Sequence, residues 1–233
     1  MYQAILWDMD GTLVDSEPLW EIATYEMSEA MGRRLTPELR AQTIGGTFSN
    51  TVRICAQHAG ITVSEADYQG YRSRLFTRMD ELLRSRLELN PGIAELLQQL
   101  HAAGTPMMVV TNTNRVLADP AIDAVGRHFF SDTICGNEVS AGKPDPEIYT
   151  TAAARLGVKP QQCLVFEDSG AGMTAASTAG CRVIGLPAAG GVPAGVVDMR
   201  DLHGSTSFIG VTPEKLARWF DLLATPEPVA VEE

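Results

Sequence analysis

The 233-residue sequence predicts an α/β protein, with a parallel, helix-flanked sheet interrupted by a helical insertion after its first strand. Three observations predict it. Short apolar runs at 4–7, 106–110, 133–135, 163–166 and 182–186 alternate with segments of helical period. Residues 16–86 carry helical patterning and no convincing strand, so they insert between the first strand and the rest of the alternation. Polar residues cluster where the strands end, at Asp8 and Asp10, Thr111 and Asn112, and Glu167 and Asp168.

Each element has its own signal. Ala4 to Trp7 reads as a buried strand, followed by an Asp-Gly turn at Asp10-Gly11. Asp15 or Ser16 is placed to cap a helix with Glu17 and Pro18 in its first turn. Leu19, Ile22, Ala23, Glu26, Met27 and Ala30 give that helix one mostly apolar face, and Gly32 stops it. Thr36-Pro37 opens a short second helix, and 44–50 reads as a loop. A third helix is expected over 51–59, ended by Gly60. Ser64 and Asp67 form a capping box for a fourth, running to about Arg84.

From Pro91 the pattern changes. Ile93, Leu96, Leu97 and Leu100 mark a helix ended by Gly104, and the second strand closes on Thr111-Asn112. A helix broken near Pro120 follows, then the 133–135 strand and a helix over 147–156. The 163–166 strand ends in Glu167-Asp168-Ser169. A helix of small residues over 170–179, the fifth strand and a last helix over 213–223 complete the core, and 226–233 reads as a flexible tail.

Composition limits the function classes. A net charge of -11 opposes a nucleic-acid partner, and no apolar run approaches a membrane span. No signal-peptide pattern precedes the first strand, and Cys55, Cys135, Cys163 and Cys181 read as scattered buried thiols. The expectation is a cytoplasmic protein, a monomer, with neither nucleic acid nor membrane as a partner. His58, His101, His128 and His203 show no metal-ligand spacing.

In an open α/β sheet, the carboxyl ends of neighbouring strands form one crevice. Asp8, Asp10, Thr111, Asn112, Lys143, Glu167 and Asp168 would meet there. Four carboxylates in one crevice repel unless a cation compensates, and an all-oxygen donor set points to a hard ion, Mg²⁺. Asp8 to Asp15, Thr111-Asn112, Gly142 to Pro146 and Phe166 to Gly172 resemble, in order, the four motifs of the haloacid dehalogenase-like phosphatases. The match spans nearly the whole chain. It implies a Rossmann-like core over 1–15 and 87–225, with 16–86 as the helical cap domain. The cap resembles the subgroup that contains sugar-phosphate phosphatases and β-phosphoglucomutase.

That resemblance implies roles. Asp8 would be the nucleophile, forming an aspartyl-phosphate, and Asp10 the acid for the leaving oxygen and then the base for water. Mg²⁺ would be held by Asp8, the Asp10 carbonyl oxygen and Asp168, with Glu167 acting through a water or orienting Lys143. Lys143 would contact Asp8 and a phosphate oxygen, and the Thr111 hydroxyl and Asn112 backbone N–H would hold phosphate. The expected substrate is a small phosphorylated metabolite, a sugar or polyol monophosphate, met in the cap by Glu17, Trp20 and Asn50. A β-phosphoglucomutase-like phosphotransferase is the alternative. Against it, Trp20 stands where that mutase has a histidine, and 45–50 contains no arginine. A second alternative, a non-catalytic phosphate-binding domain, fits less well because Asp8, Asp10, Lys143 and Asp168 are all present.

Overall fold

The computed structural model describes residues 1–44, 47–188 and 190–223. It divides into two compact units, Met1–Asp15 with Glu88–Glu233, and Ser16–Leu87. The chain begins with β1 (Ala4–Trp7) and the two-residue β2 (Val14–Asp15). The second unit then supplies α1 (Glu17–Ala30), α2 (Pro37–Ala41), α3 (Phe48–Ala59) and α4 (Glu65–Arg86). The first unit resumes with β3 (Glu88–Leu89), α5 (Ile93–Ala102), β4 (Met107–Thr111) and α6 (Arg115–Val125). There follow β5 (Asp132–Cys135), α7 (Glu147–Arg155), β6 (Cys163–Glu167), α8 (Gly170–Thr178) and β7 (Arg182–Gly185). β8 (Val196–Asp198), α9 (Met199–His203) and α10 (Pro213–Leu222) close it.

The main sheet has six strands in the order β5-β4-β1-β6-β7-β8, every pair parallel. Strand order steps outward from β1 in both directions, which makes the carboxyl end of β1 a topological switch point, where such sheets bind ligands. The central strands are apolar on both faces because helices cover both. Leu6, Met108, Val110 and Val165 pack with Ile148, Ala152 and Met173. Trp7 and Phe166, adjacent in register, stack with ring centroids 4.7 Å apart, and Phe208 meets both edge-on.

Four local expectations are corrected. α6 runs through Pro120 without a break. Val116, whose carbonyl Pro120 cannot serve, is exposed, where water can take the place of the missing N–H. The sheet gains a sixth strand, β8, and α9 follows it; three- and five-residue elements are too short to show a period. For the same reason the antiparallel β2–β3 ribbon went unforeseen; it pairs Val14 with Leu89 and Asp15 with Glu88, where the chain leaves the core and returns.

The fourth correction concerns the 44–50 loop. α3 begins at Phe48, three residues earlier than expected, because Thr47 is its N-cap and accepts a hydrogen bond from the Asn50 N–H at 3.2 Å. Phe48 anchors that turn edge-on against Tyr68. Gly45 and Gly46 of the expected loop, and the expected tail at 226–233, lie outside the described residues. In α1, Ser16 stands at the N-cap without a side-chain capping bond. The buried face of α1 includes Thr24, Tyr25 and Ser28, whereas Ala30 is exposed. The Ser64–Asp67 capping box forms with both its bonds.

Candidate active site

Three strand ends, those of β1, β4 and β6, and Lys143 from the segment between β5 and α7 build one polar cluster in the core unit. β1 stops at Trp7 and delivers Asp8, whose backbone N–H bonds the Phe166 carbonyl of β6. The chain then turns tightly: the N–H groups of Thr12, Leu13 and Val14 all reach the Met9 carbonyl. Gly11 turns the loop at φ +83, and a Cβ there would lie 2.1 Å from Asp168 Oδ2. Glycine therefore supplies both the backbone conformation and the clearance for the acid from β6. Asn90 holds the loop from outside, donating to the Gly11 and Thr12 carbonyls at 2.9 Å each.

Lys143 sits at the centre with its side chain 3% exposed. Its ammonium donates to Asp8 Oδ1 at 2.7 Å, to the Val110 carbonyl at 2.9 Å, and to Glu167 Oε1. An ammonium has three donors, and all three are engaged; a phosphate oxygen would have to share one. Asn112 fixes the lysine's backbone, accepting from Lys143 N–H at 2.9 Å and donating to its carbonyl at 3.1 Å. The lysine is thus aimed from both ends.

Glu167 is fully buried as the last residue of β6. Oε1 accepts from Lys143 and from the Tyr149 hydroxyl at 2.9 Å, and Oε2 accepts from Ser169 N–H at 3.1 Å and its hydroxyl at 3.0 Å. A Cβ at Gly172 would fall 1.8 Å from Oε1, so the first turn of α8 is hollowed to admit this carboxylate. Ser169 also caps α8, accepting from Gly172 N–H. Asp145 braces the loop ahead of α7, accepting from the Glu147 N–H at 2.9 Å.

Oxygens of Asp8, Glu167 and Asp168 lie within 4.8 Å of one another. Burial and the neighbouring Glu167 charge push the Asp8 carboxyl well up, against the partial relief that Lys143 gives. Asp168 rises to about 7 for the same reasons, burial first and Glu167 next. Burial alone would lower Lys143, but the charges of Asp8 and Glu167 outweigh it and hold the ammonium above its ordinary value. One ammonium shared between two acids does not neutralise the cluster. Asp8 Oδ2 is buried and has no hydrogen-bond partner among the protein groups. An unserved carboxylate oxygen in a hard, all-oxygen, over-acidic cluster fits a divalent cation.

Asp10 and Thr111 stand beside this cluster. The Thr113 hydroxyl donates to Asp10 Oδ2 at 2.7 Å, and the Thr111 hydroxyl lies 3.5 Å from the same oxygen. The core residues singled out in the sequence therefore come together. Glu17, Trp20 and Asn50 belong to the other unit. There Arg40 donates to Glu17 Oε1 at 2.5 Å, and Arg53 to Asn50 Oδ1 at 2.7 Å. Sequence reasoning missed Tyr149, Asn90, Thr113 and Arg40. Tyr149 was hidden as one more apolar position of a helix, and nothing local to the other three announces their partners.

The family model for haloacid dehalogenase-like hydrolases matches residues 2–180. The chain belongs to that family. Among the curated relatives of this haloacid dehalogenase-like hydrolase is a probable pseudouridine-5'-phosphatase of Drosophila melanogaster. It is 35% identical over 78% of this chain and 80% of its own length. Hexitol phosphatase A of Escherichia coli is 33% identical over 82% of this chain and 86% of its own. Among solved structures, CbbY of Rhodobacter sphaeroides in complex with xylulose-1,5-bisphosphate is 26% identical. It superposes with a TM-score of 0.75 over 93% of this chain and 99% of that one. With that family and these phosphatases, the chain is a phosphomonoester hydrolase. No described helix is long and apolar enough to cross a membrane.

Proposed function

We propose that the chain is a Mg²⁺-dependent phosphatase that hydrolyses a sugar or polyol monophosphate through an aspartyl-phosphate on Asp8. The observation that carries this reading is Asp8 itself: at the end of a central strand, one oxygen held by a buried lysine and the other buried without a partner. Asp8 attacks phosphorus as the ester bond breaks, and Asp10 gives its proton to the leaving oxygen. Asp10 then takes a proton from the water that attacks the acyl phosphate, and inorganic phosphate leaves as Asp8 is regenerated. Lys143 keeps the Asp8 carboxylate oriented and partly screened. Glu167, saturated by Lys143, Tyr149 and Ser169, holds the lysine rather than the substrate.

Asp8, Asp168 and the Asp10 carbonyl oxygen would hold Mg²⁺. Bound there, the ion supplies the positive charge that allows an anionic carboxylate to meet an anionic phosphate. The Thr111 hydroxyl and the Asn112 backbone N–H are the groups assigned to the phosphate oxygens. The helical unit, residues 16–86, acts as the cap, with Glu17, Trp20 and Asn50 toward the leaving group.

The relatives named for phosphatase activity act on a nucleoside phosphate and a hexitol phosphate, which supports a small polyhydroxylated substrate. CbbY is bound to a bisphosphate, yet the stretch 45–50, where the resemblance to the mutase would put an arginine for a second phosphate, contains none. That favours a monophosphate. The test is phosphate release from a panel of hexose, pentose, hexitol, nucleoside and bisphosphate esters. Monoesters turned over with Mg²⁺, and silence in excess chelator, are expected; Ca²⁺ inhibits because its looser shell distorts the reacting geometry. Full turnover in excess EDTA refutes the metal assignment, and preference for bisphosphates in kcat/KM refutes the substrate class.

A further inference from the structure

We propose that Thr113 is a positioning residue for proton transfer, holding the Asp10 carboxyl in place through both halves of the reaction. The inference rests on the assignment of Asp10 as acid and base given above. It starts from a contact that the motif residues do not account for. Thr113 follows the phosphate-binding pair Thr111-Asn112, and its hydroxyl donates to Asp10 Oδ2 at 2.7 Å across a sequence separation of 103 residues. The Thr111 hydroxyl approaches the same oxygen only to 3.5 Å, the outer limit of a hydrogen bond.

The backbone of Thr113 is itself fixed. Its N–H donates to the Thr111 hydroxyl at 3.0 Å, and its carbonyl accepts from Gly136 N–H at 3.3 Å. One residue therefore orients two others: its amide settles the Thr111 oxygen, and its side chain settles Asp10. Among uncharged side chains a hydroxyl suits the second task well, because it both donates and accepts. It donates to Asp10 as a carboxylate. When Asp10 carries its proton on the other oxygen, toward the leaving group, Oδ2 still accepts from Thr113, so the bond holds without any heavy atom moving. Asp10 changes protonation state twice in each turnover, so a partner that serves both states keeps the carboxyl at one place. A methyl group in the same position would serve neither.

The consequence is a dependence on the leaving group. In the first step the ester O–P bond breaks, the Asp8–phosphorus bond forms, and Asp10 delivers its proton to the leaving oxygen. Nitrophenolate leaves without that proton; an alkoxide does not. Because kcat/KM reports steps up to the first irreversible one, misplacing Asp10 lowers kcat/KM for an alkyl phosphate far more than for p-nitrophenyl phosphate. The second step needs Asp10 as base whatever has left, so kcat falls for both.

The experiment uses the full chain with Mg²⁺, comparing wild type, Thr113→Val, Thr113→Ser and Asp10→Asn on p-nitrophenyl phosphate and on glucose 6-phosphate. Thr113→Val is expected to lose roughly 10-fold or more in kcat/KM on the sugar phosphate and about threefold or less on the aryl ester. Thr113→Ser, which keeps the hydroxyl, returns the ratio to within about threefold of wild type. Equal losses on both substrates in Thr113→Val overturn the proposal, as does a serine variant as deficient as the valine one. Should the valine variant not fold, Thr113→Ala takes its place with the same expectations. Asp10→Asn separates the two levels. If it lacks the leaving-group asymmetry, the acid–base reading of Asp10 fails; if it shows the asymmetry and Thr113→Val does not, only the present inference fails.

Discussion

In the core unit, Lys143, Asp8 and Glu167 share one buried ion cluster with side chains 3%, 8% and 0% exposed. In the helical unit, Glu17 pairs with Arg40 while its own side chain stays 49% exposed, and Asn50 is tied to Arg53 at the surface of α3. The two regions use the same residue types under different physics. In the core, burial makes each unpaired charge expensive, so Lys143 and Glu167 are each placed by several neighbours and their positions carry chemical meaning. Arg40 is buried and fixes its end of the Glu17 pair, but around Asn50 and Arg53 water competes for each bond, and an observed pair fixes little. The comparison teaches that a side chain's position carries chemical meaning where burial fixes it, and that the proposed division, reaction in the core and substrate choice in the helical unit, rests on firmly placed groups only in its first half.

The largest effect tests the core half. Asp8→Asn should lower turnover by roughly 10⁴-fold or more, since an amide cannot form the acyl phosphate. Lys143→Met should lower it by about 10²- to 10³-fold, because the nucleophile loses its preorganised counter-charge. Asp8→Asn should remain folded by circular dichroism, as it removes a charge from an over-acidic cluster, whereas Lys143→Met strands two buried acids without their ammonium and should lower the Tm as well. Turnover near wild type in a homogeneous Asp8→Asn preparation would break the comparison at its base.

How much of this was legible in the sequence follows the same division. Strand ends and their acids could be read because the strands are buried runs bounded by glycine turns, and the four motifs occur in order. The partners of those acids could not. Tyr149 reaches Glu167, and Asn90 clamps the Gly11 turn, through contacts separated by 18 and 79 residues that no periodicity encodes. β8 and the β2–β3 ribbon escaped because two or three residues have no period. α3 starts ahead of its expected position because a threonine in a polar stretch suits a loop and a helix cap equally, and Thr47 is the cap.

A middle-sized effect sharpens the electrostatic side. The Asp168 carboxyl is raised from an ordinary value of 3.8 to about 7 by burial first and Glu167 next. Between those values the metal-free folded chain binds more protons than the unfolded one. Its stability therefore falls as pH rises through that window. At roughly 1.4 kcal/mol per unit, a few kcal/mol are at stake. Asp168→Asn removes the charged form, so in EDTA its Tm should exceed that of wild type at pH 7.5, with the gap closing toward pH 5.5. Mg²⁺ should reverse the order, since the ion stabilises only the chain that holds it. A wild-type chain in EDTA as stable at pH 7.5 as at pH 5.5, and no gap to the variant, would remove the repulsion argument.

The smallest effect tests the helical half. If Trp20 and Asn50 meet the leaving group, truncating them should reorder substrates without touching the chemistry. Trp20 would lose an apolar wall for a sugar's C–H face, and Asn50 an amide for a hydroxyl. Asn50 is spoken for: its Nδ2 donates to the Gln42 carbonyl at 3.3 Å, and its Oδ1 accepts from Arg53. A substrate hydroxyl would exchange with those bonds, so the net gain is that of an ordinary hydrogen bond, about 1 kcal/mol. Asn50→Ala should therefore shift the hexitol-to-pentose ratio of kcat/KM by about fivefold. Trp20→Ala should shift it somewhat more, and p-nitrophenyl phosphate should change little with either. Arg40→Met is the control for position: Arg40 is 5% exposed and holds Glu17, so its loss should move the ranking only if Glu17 itself reads the substrate. An unchanged ranking in all three variants would take substrate choice away from these residues while leaving the core assignment intact.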